Sequence, residues 1–276
     1  MNLIEILKAV FLGIVEGITE WLPVSSTGHM LLVDEFLTLN MSEEFKEMFF
    51  VVIQLGAILA VVFLFWKRMI PFDFSGGLKI KKQTFSLWFK VALACVPGAV
   101  VTLLFDDFIE QHLHTPSVIA AALIFYGIAF ILVELKTKNR PAKTQVLEEI
   151  SYKEAFLIGL FQVLSIIPGT SRSGSTIIGA LVIGVSRVAA AEFTFFLAVP
   201  VMLGLSFLKL ISFGFSFSSA ETAVLLAGTV TAFLVSLAVV KALMNYVKRK
   251  DFKVFGYYRI ILGAIILIYY AVLSRI

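Results

Sequence analysis

The feature that most constrains this chain is a series of apolar runs, each about as long as a bilayer is thick. Six runs qualify, at 46–66, 85–105, 116–135, 189–211, 220–243 and 256–274. A transmembrane helix needs about 20 consecutive, mainly apolar residues. Of the 276 residues, 59% are hydrophobic and only 15% are charged, against about 25% in an ordinary soluble domain. The sequence therefore predicts an all-α integral membrane protein with several spans.

Charge and cysteine content exclude several classes of site. The net charge of +4 is distributed over the segments between apolar runs, so we expect no nucleic-acid partner. Cys95 is the only cysteine, which rules out a disulfide or a cysteine metal site within the chain. The N-terminus has no basic segment and no small-residue cleavage site, and Glu5 comes early, so we expect no cleaved signal peptide.

Lysine and arginine are sorted between the loops that join the apolar runs. The loops 67–84, 136–153 and 241–255 hold five such residues each, whereas 106–115 and 212–219 hold none. The positive-inside rule places the three basic loops in the cytoplasm and the other two outside. All six spans then alternate in direction.

Two further apolar regions, 3–37 and 154–186, must each begin and end on one side of the membrane, the first outside and the second inside. Proline and small polar residues interrupt them, at LPVSSTG and IPGTSRSG. We therefore expect two re-entrant helical hairpins. Such breaks at membrane depth are tolerated only where protein or a wet cavity covers the exposed backbone.

The two hairpin regions are related at a spacing of 146 residues. The matched pairs are Gly13 with Gly159, Glu16 with Gln162, Ser25 with Ser171, Thr27 with Ser173, and Gly28 with Gly174. We expect a single membrane domain, 1–276, built as an inverted-topology repeat with halves 1–138 and 150–276. Each half comprises one re-entrant hairpin plus three transmembrane helices. Such repeats place a site between the halves, near the midplane of the bilayer.

Glu16 and Glu20 share one helix face with Gly13 and Gly17. Carboxylates four residues apart can share a divalent cation, and the glycines let another backbone approach. An ionisable residue at depth costs ~2.5–3.5 kcal/mol on insertion scales, so each needs a reason to be there. A structural ion pair with Arg172 is the competing interpretation, but it does not account for the neighbouring hydroxyl groups.

Hydroxyl side chains cluster after each break, where a second half-helix is expected to start. Free N–H groups and the positive end of the dipole suit such helix starts to anions. Arg172 adds a planar fork that matches phosphate oxygens. We predict phosphate contacts from Ser25, Thr27, Ser171, Arg172, Ser173 and Thr176. The structural interpretation of Ser25 or Ser171 alone is an N-cap.

His29 follows Ser26 by three residues, on the same side of the second half-helix. It is a candidate base, nucleophile or hydrogen-bond donor to phosphate. Other polar residues in the spans suggest structural roles. Lys90, Arg187 and Arg259 are expected to snorkel at cytoplasmic helix ends, and Glu192 to have a structural partner.

The motifs EGITEWLPVSSTGHM and PGTSRSGST, with EFTFFLAVP after the second, resemble the undecaprenyl-diphosphate phosphatase family, also called bacitracin-resistance proteins. The resemblance implies an enzyme of the bacterial plasma membrane with an active site opening to the outer side. It implies removal of the terminal phosphate of undecaprenyl diphosphate, which regenerates the monophosphate carrier for cell-wall synthesis and confers bacitracin resistance. The family's motif residues fall on Glu16, Glu20, Ser26, Thr27 and His29, and on Ser171, Arg172, Ser173 and Thr176.

We therefore expect a polyprenyl diphosphate substrate, in contact with membrane lipids. We also expect a divalent cation, Mg²⁺ or Ca²⁺, bridging Glu16 and Glu20 to the diphosphate, because Arg172 alone cannot balance these negative charges. Hard oxygen ligands argue against zinc. Three attacking groups are open: Ser26 with Glu20 or His29 as its base, His29 itself, or a metal-activated water. Ser26 is preferred.

Two other functions compete with this interpretation. Inverted repeats with broken helices are also a transporter architecture, which suggests a polyprenyl-phosphate flippase. Two carboxylates, a histidine and a hydroxyl cluster are more than binding requires, which favours an enzyme. The other lipid phosphatase superfamily needs a KxxxxxxRP segment and a histidine late in the chain, and this sequence has neither.

Overall fold

The structure, a computed structural model, describes residues 3–73, 79–138 and 140–273. The described residues form eleven α-helices and one short hairpin of strands. The helices are α1 (Leu3–Thr19), α2 (Ser26–Phe36), α3 (Glu43–Val52), α4 (Gln54–Met69), α5 (Lys82–Leu113), α6 (Pro116–Thr137), α7 (Tyr152–Val163), α8 (Arg172–Ile183), α9 (Arg187–Phe213), α10 (Ser219–Val247) and α11 (Lys253–Leu273). The antiparallel strands β1 (Phe72–Asp73) and β2 (Lys79–Ile80) lie in the predicted basic loop 67–84, of which residues 74–78 lie outside the described residues.

Within the described chain, six helical segments are long and apolar enough to cross a membrane. They are Glu43–Met69, Lys82–Phe105, Pro116–Thr137, Arg187–Phe213, Ser219–Val247 and Lys253–Val272. These segments coincide with the six apolar runs, so the all-α class and the six candidate spans are confirmed. The first span consists of α3 and α4, which meet at Ile53, a residue with nearly helical φ −61° and ψ −22°.

The segment 106–115, predicted as a loop, is mostly helical, because α5 continues to Leu113. The prediction was wrong because polarity marks where a chain leaves the apolar layer, not where its helix ends. A polar segment can continue the hydrogen-bonded ladder into water.

Local sequence explains where many helices begin. Besides the serines before α2 and α8, serine or threonine precedes five of them, and its side chain accepts a hydrogen bond from the N–H three residues later. These caps are Ser42, Thr115, Ser151, Ser186 and Ser218. Glu154 and Glu221 complete capping boxes at α7 and α10, so both helix starts are fixed by reciprocal bonds.

Helices α1 and α7 each pack on a long helix from the opposite half of the chain. Helix α1 lies along α10, α7 lies along α5, and α4 and α6 pair with α9 and α11. Glycines permit the closest of these approaches. A Cβ atom at Gly13 would lie 2.5 Å from the carbonyl oxygen of Gly228, and one at Gly159 would lie 2.4 Å from that of Ala94. The N-terminal and C-terminal halves of the chain are therefore interlocked.

The three basic loops lie at one end of the bundle. Arg68, at the end of α4, pairs with Glu148 in the loop before α7 (Nη2–Oε1, 2.8 Å) and with Glu192 in α9 (Nη1–Oε1, 2.6 Å). The expected structural partner of Glu192 is thus confirmed. Burial raises the pKa of Glu148, but the hydrogen bond from Arg68 and the other nearby interactions lower it by more. The net pKa therefore lies below the ordinary value of a glutamate. The carboxylate therefore stays ionised near neutral pH.

A second polar contact joins the remaining loop to this end. The buried Glu134, near the end of α6, accepts hydrogen bonds from Arg187 and from the backbone N–H of Phe252, which precedes α11. Lys90 lies at the same end and donates to the carbonyl of Glu148. Arg187 and Lys90 thus lie at the end of the bundle that carries the basic loops, and each has a partner in the protein instead of a free side chain.

Candidate functional site

The two helix breaks share one backbone frame. Ser25 caps α2 and Ser171 caps α8, and their hydroxyls accept from the N–H groups of Gly28 (3.3 Å) and Gly174 (3.2 Å). Both serines have positive φ, 73° and 71°, and no other non-glycine residue in the described chain does. The N-cap interpretation of the two serines is therefore confirmed. A strained φ of this kind costs on the order of 1–3 kcal/mol and is typical of functional sites.

The Glu20 carboxylate joins the two breaks. Arg172 donates from Nη2 to Oε1 of Glu20 at 2.9 Å, and Ser26 donates from Oγ to Oε2 at 3.0 Å. The hydroxyl of Ser173 lies 3.3 Å from the Glu20 carbonyl. Glu20 is only 8% exposed, so these contacts form in a largely dry environment. The Glu20 carboxylate thus orients both Ser26, the candidate nucleophile, and Arg172, the candidate phosphate-binding residue.

The hydroxyl groups of the second motif support Arg172. Arg172 also donates from Nη1 to the carbonyl of Thr194 at 3.1 Å, which ties it to α9. The fully buried hydroxyl of Thr176 lies 3.0 Å from the Arg172 carbonyl and 2.9 Å from Oγ1 of Thr194. The hydroxyls of Ser171 and Ser173 are 3.1 Å apart. The second motif therefore holds the arginine at the start of α8.

Glu16 is 1% exposed, and its Oε1 atom has no hydrogen-bond partner among the described residues. Its carbonyl accepts from the N–H of Glu20, which places the two carboxylates one turn apart. Across the described chain there is no cluster of three or more His, Cys, Asp or Glu side chains suited to a metal ion. The described residues thus bring two carboxylates together here, and one of the Glu16 oxygens is left without a partner.

Both ring nitrogens of His29 are engaged. Nδ1 lies 2.7 Å from the carbonyl oxygen of Ser25, and Nε2 lies 2.6 Å from the hydroxyl of Tyr258. The rings of His29 and Tyr258 are stacked, with centroids 5.5 Å apart. A carbonyl only accepts, so Nδ1 carries the hydrogen, and in the neutral ring Nε2 accepts from the tyrosine. His29 is thus oriented by α11, while Ser26 faces Glu20 and Thr27 lies exposed on α2.

Arg259, on α11, is the site residue that the sequence interpretation misplaced. It was predicted to snorkel, but it is 0% exposed and lies between the two breaks. Its guanidinium donates to the carbonyl of Pro23 in the first break (3.3 Å) and to those of Gly169 (2.9 Å) and Thr170 (2.7 Å) in the second.

A sequence signal for this burial exists. Gly256 and Gly263 flank Arg259 at spacings of three and four, on one face of α11. Carbon atoms added at these glycines would lie 2.7 Å and 2.8 Å from carbonyl oxygens of α6. An arginine on a glycine face is directed into the helix contact, not towards the membrane surface.

The chain matches known proteins over nearly its whole length. Residues 9–265 match a family described as bacitracin resistance protein BacA. A protein of Enterococcus faecalis named undecaprenyl-diphosphatase is 67% identical over 274 residues, covering 99% of both chains. Proteins of the same name from Desulfitobacterium hafniense and Lachnoclostridium phytofermentans are 56% and 58% identical, each covering 98% of both chains.

Proposed function

We propose that this chain, which belongs to the bacitracin resistance protein BacA family, is an undecaprenyl-diphosphatase. The protein is a multi-pass membrane enzyme that hydrolyses undecaprenyl diphosphate to undecaprenyl phosphate and phosphate. It thereby recycles the lipid carrier for cell-wall synthesis and confers bacitracin resistance. The observation that carries the mechanism is the Glu20 carboxylate, which contacts both Ser26 and Arg172.

In this proposal the halves 1–138 and 150–276 form an inverted-topology repeat, with re-entrant hairpins at α1–α2 and α7–α8. Reciprocal packing supports it, because each hairpin lies on the middle long helix of the other half. The remaining long helices also pair with their counterparts, α4 with α9 and α6 with α11. Ser25 and Ser171, matched at 146 residues, share the same cap and the same φ. Halves related by a two-fold axis in the membrane plane have these properties.

We assign the end of the bundle that carries the basic loops to the cytoplasm and the opening of the active site to the outer side. The cytoplasmic end is supported by the positive-inside rule and by the contacts of Arg68 and Glu134, which join the three basic loops, and the outward opening of the active site follows from the resemblance of the two motifs to the family. Labelling of Lys81→Cys from outside by an impermeant reagent, in a Cys95→Ala background, would contradict this orientation.

Glu16 and Glu20 are the proposed ligands of a divalent cation, Mg²⁺ or Ca²⁺. The fit is supported by the buried, unpartnered Oε1 atom of Glu16, which a cation would satisfy. Glu16 and Glu20 would hold the cation from the protein side and leave room for oxygen donors of the substrate, as is usual for Mg²⁺. When bound, the cation supplies charge neutralisation at the diphosphate oxygens.

The reacting phosphate binds between the starts of α2 and α8. Arg172 exchanges its contact with Glu20 for the terminal phosphate oxygens, which its fork matches. The Ser26 hydroxyl then attacks the terminal phosphorus, its proton passes to Glu20, and the bond to the bridging oxygen breaks. Undecaprenyl phosphate leaves, and water hydrolyses the phosphoserine to free phosphate. His29 is a poorer attacker, because both of its nitrogens already have partners.

The other candidate phosphate contacts divide by position. Thr27 is exposed at the start of α2, and Ser173 lies beside Glu20, so both are proposed as phosphate contacts. The hydroxyls of Ser25 and Ser171 cap their helices, and that of Thr176 faces Thr194. For these three we propose that they shape the anion site.

The test is phosphate release by the purified protein from a polyprenyl diphosphate, with and without a chelator. We expect release that stops on exhaustive chelation and returns with Mg²⁺ or Ca²⁺. Full activity after chelation contradicts the cation. Lipid reorientation in vesicles without phosphate release would favour the flippase.

A further inference from the structure

We propose that Arg259 is a positioning residue for the phosphatase reaction. Its guanidinium ties the two helix breaks together and places a fixed positive charge beneath the anion site. The role is distinct from that of Arg172, because Arg259 reaches the breaks from α11 and holds backbone instead of a carboxylate. The proposal rests on the proposed function.

The first argument is the geometry of the fork. Arg259 donates from Nη1 to the Pro23 carbonyl and from Nη2 to the carbonyls of Gly169 and Thr170. Pro23 belongs to the break before Ser26, whereas Gly169 and Thr170 belong to the break before Arg172. The rigid, planar guanidinium of Arg259 therefore sets the distance between the start of α2, which holds Ser26, and the start of α8, which holds Arg172.

The second argument is charge. Arg172 and Arg187 each pair with a carboxylate, Glu20 and Glu134. Arg259 is fully buried, but within the described residues its partners are backbone carbonyls and the ring of Tyr126, 5.9 Å away. A buried cation without a counter-ion is costly, and such sites at membrane depth are typically functional. A bound diphosphate supplies the missing negative charge.

The third argument is proximity to the start of α8. A Cβ atom added at Gly174 would lie 2.9 Å from Nη1 of Arg259, so the guanidinium lies against the first turn of that helix. Free N–H groups and the dipole already favour an anion there. A positive charge at this distance in a poorly hydrated site adds to the same field.

Tyr258, the residue before Arg259, also positions part of the site. Tyr258 precedes Arg259 on α11, and its hydroxyl contacts Nε2 of His29. Two consecutive residues of one helix thus fix the histidine and both breaks. Helix α11 is therefore a positioning element for the site, although it contributes no residue to either motif.

Two substitutions separate the fork from the charge. Arg259→Lys keeps the charge but cannot hold three carbonyls from two breaks, whereas Arg259→Gln removes both. We expect Arg259→Lys to lower kcat about 10- to 100-fold, the effect of a small misplacement of reacting groups, while KM changes less than about threefold. Arg259→Gln is expected to lower kcat further and also to raise KM, because the substrate then loses an attractive charge.

Gly174→Ala is an independent variant, in which Arg259 is retained but its guanidinium has to move away from the added methyl group. We expect a smaller fall in kcat than for Arg259→Lys. Arg187→Lys is the matched control, because it alters a guanidinium that is ion-paired away from the breaks. It should leave kcat and KM unchanged.

Amide hydrogen exchange in residues 20–27 and 167–174 tests the tie without relying on activity. Faster exchange in both breaks together for Arg259→Lys, but not for Arg187→Lys, supports the proposal. Unchanged exchange in either break overturns it, and so does wild-type kcat in Arg259→Lys. If the wild-type protein releases no phosphate, the proposed function fails, and the exchange data alone decide whether Arg259 ties the breaks.

Discussion

The two helix breaks have the same backbone but different chemistry. Each has a serine cap at positive φ and a glycine three residues later, so the helix starts are equivalent. At the spacing of 146, however, Ser26 corresponds to Arg172 and Glu16 to Gln162. The first break and the helix before it thus hold the carboxylates and the proposed nucleophile, and the second break holds an arginine.

The difference teaches how a repeated frame can build a single site. Two identical breaks would place like charges face to face, where they repel at low dielectric. With one break acidic and the other basic, the Glu20–Arg172 pair joins them, and the Ser26 hydroxyl lies at that junction. The two breaks share their backbone conformation, and the proposed reaction depends on the side chains in which they differ.

The largest fall in kcat is expected from substitution of Ser26, which corresponds to Arg172 in the other break. Ser26→Ala removes the proposed nucleophile and should lower kcat at least about a thousandfold. Rapid-quench experiments on the wild-type protein should trap an acid-stable phosphoserine. Ser165→Ala is the control, because that hydroxyl donates to the Gln162 carbonyl next to the second break.

Two results would contradict the serine. Retention of most activity by Ser26→Ala is one, and an acid-labile, base-stable phosphoenzyme, which indicates His29, is the other.

A carboxylate exchange tests which break binds the cation. Glu16→Gln makes the first break resemble the second and removes the free buried oxygen. We expect the Mg²⁺ or Ca²⁺ concentration for half-maximal activity to rise at least about tenfold, as it does when a ligand shell is disturbed. The reverse substitution, Gln162→Glu, should leave that concentration unchanged. An unchanged metal requirement in Glu16→Gln would remove Glu16 from the proposed ligands.

A smaller effect is expected for the contact between α11 and the first break. Tyr258→Phe keeps the ring that stacks on His29 but removes the hydroxyl at Nε2. Loss of one positioning hydrogen bond, worth about 1 kcal/mol, should lower kcat about fivefold. Tyr257→Phe, at an exposed neighbouring position, is the control. Equal kinetics for the two variants would show that this hydroxyl does not matter.

The smallest effect tests the shared backbone itself. Ser171→Ala loses the cap and keeps the strained φ, and it should cost ~1 kcal/mol of stability. Ser171→Gly also loses the cap but tolerates positive φ, so its melting temperature in detergent should exceed that of Ser171→Ala. The pair Ser25→Ala and Ser25→Gly should rank in the same order. A reversed order at one break would show that the two frames are not equivalent.

The spans and the two motifs could be predicted from the sequence because hydropathy and clustered polar residues are local signals. The expected structural partner of Glu192 is also confirmed, and it is Arg68. What local patterns do not contain is the direction of a side chain within a packed bundle. Arg259 was misplaced for this reason, because its depth depends on the glycine contacts of α11 with α6.

The link between Ser26, Glu20 and Arg172 shows the same limit. Both motifs were recognised, and a Glu–Arg pair was considered, but spacing alone did not say which carboxylate meets the arginine. The structure selects Glu20, which lies past the end of α1. It also pairs His29 with Tyr258, a partner 229 residues away that lies in neither motif.

The close contact of α1 with α10 has a consequence for how the protein is made. The ribosome completes α1 first, but its glycine contact, Gly13 against Gly228, needs a helix that is synthesised about 200 residues later. At about 5–20 residues per second, that delay is on the order of 10–40 s. Until then α1, with Glu16 and the neighbouring Glu20, lacks its packing surface on α10, and for most of this interval Arg172 has not been synthesised either. We therefore expect α1 and α2 to reach their final packing only after the second half of the chain has been synthesised.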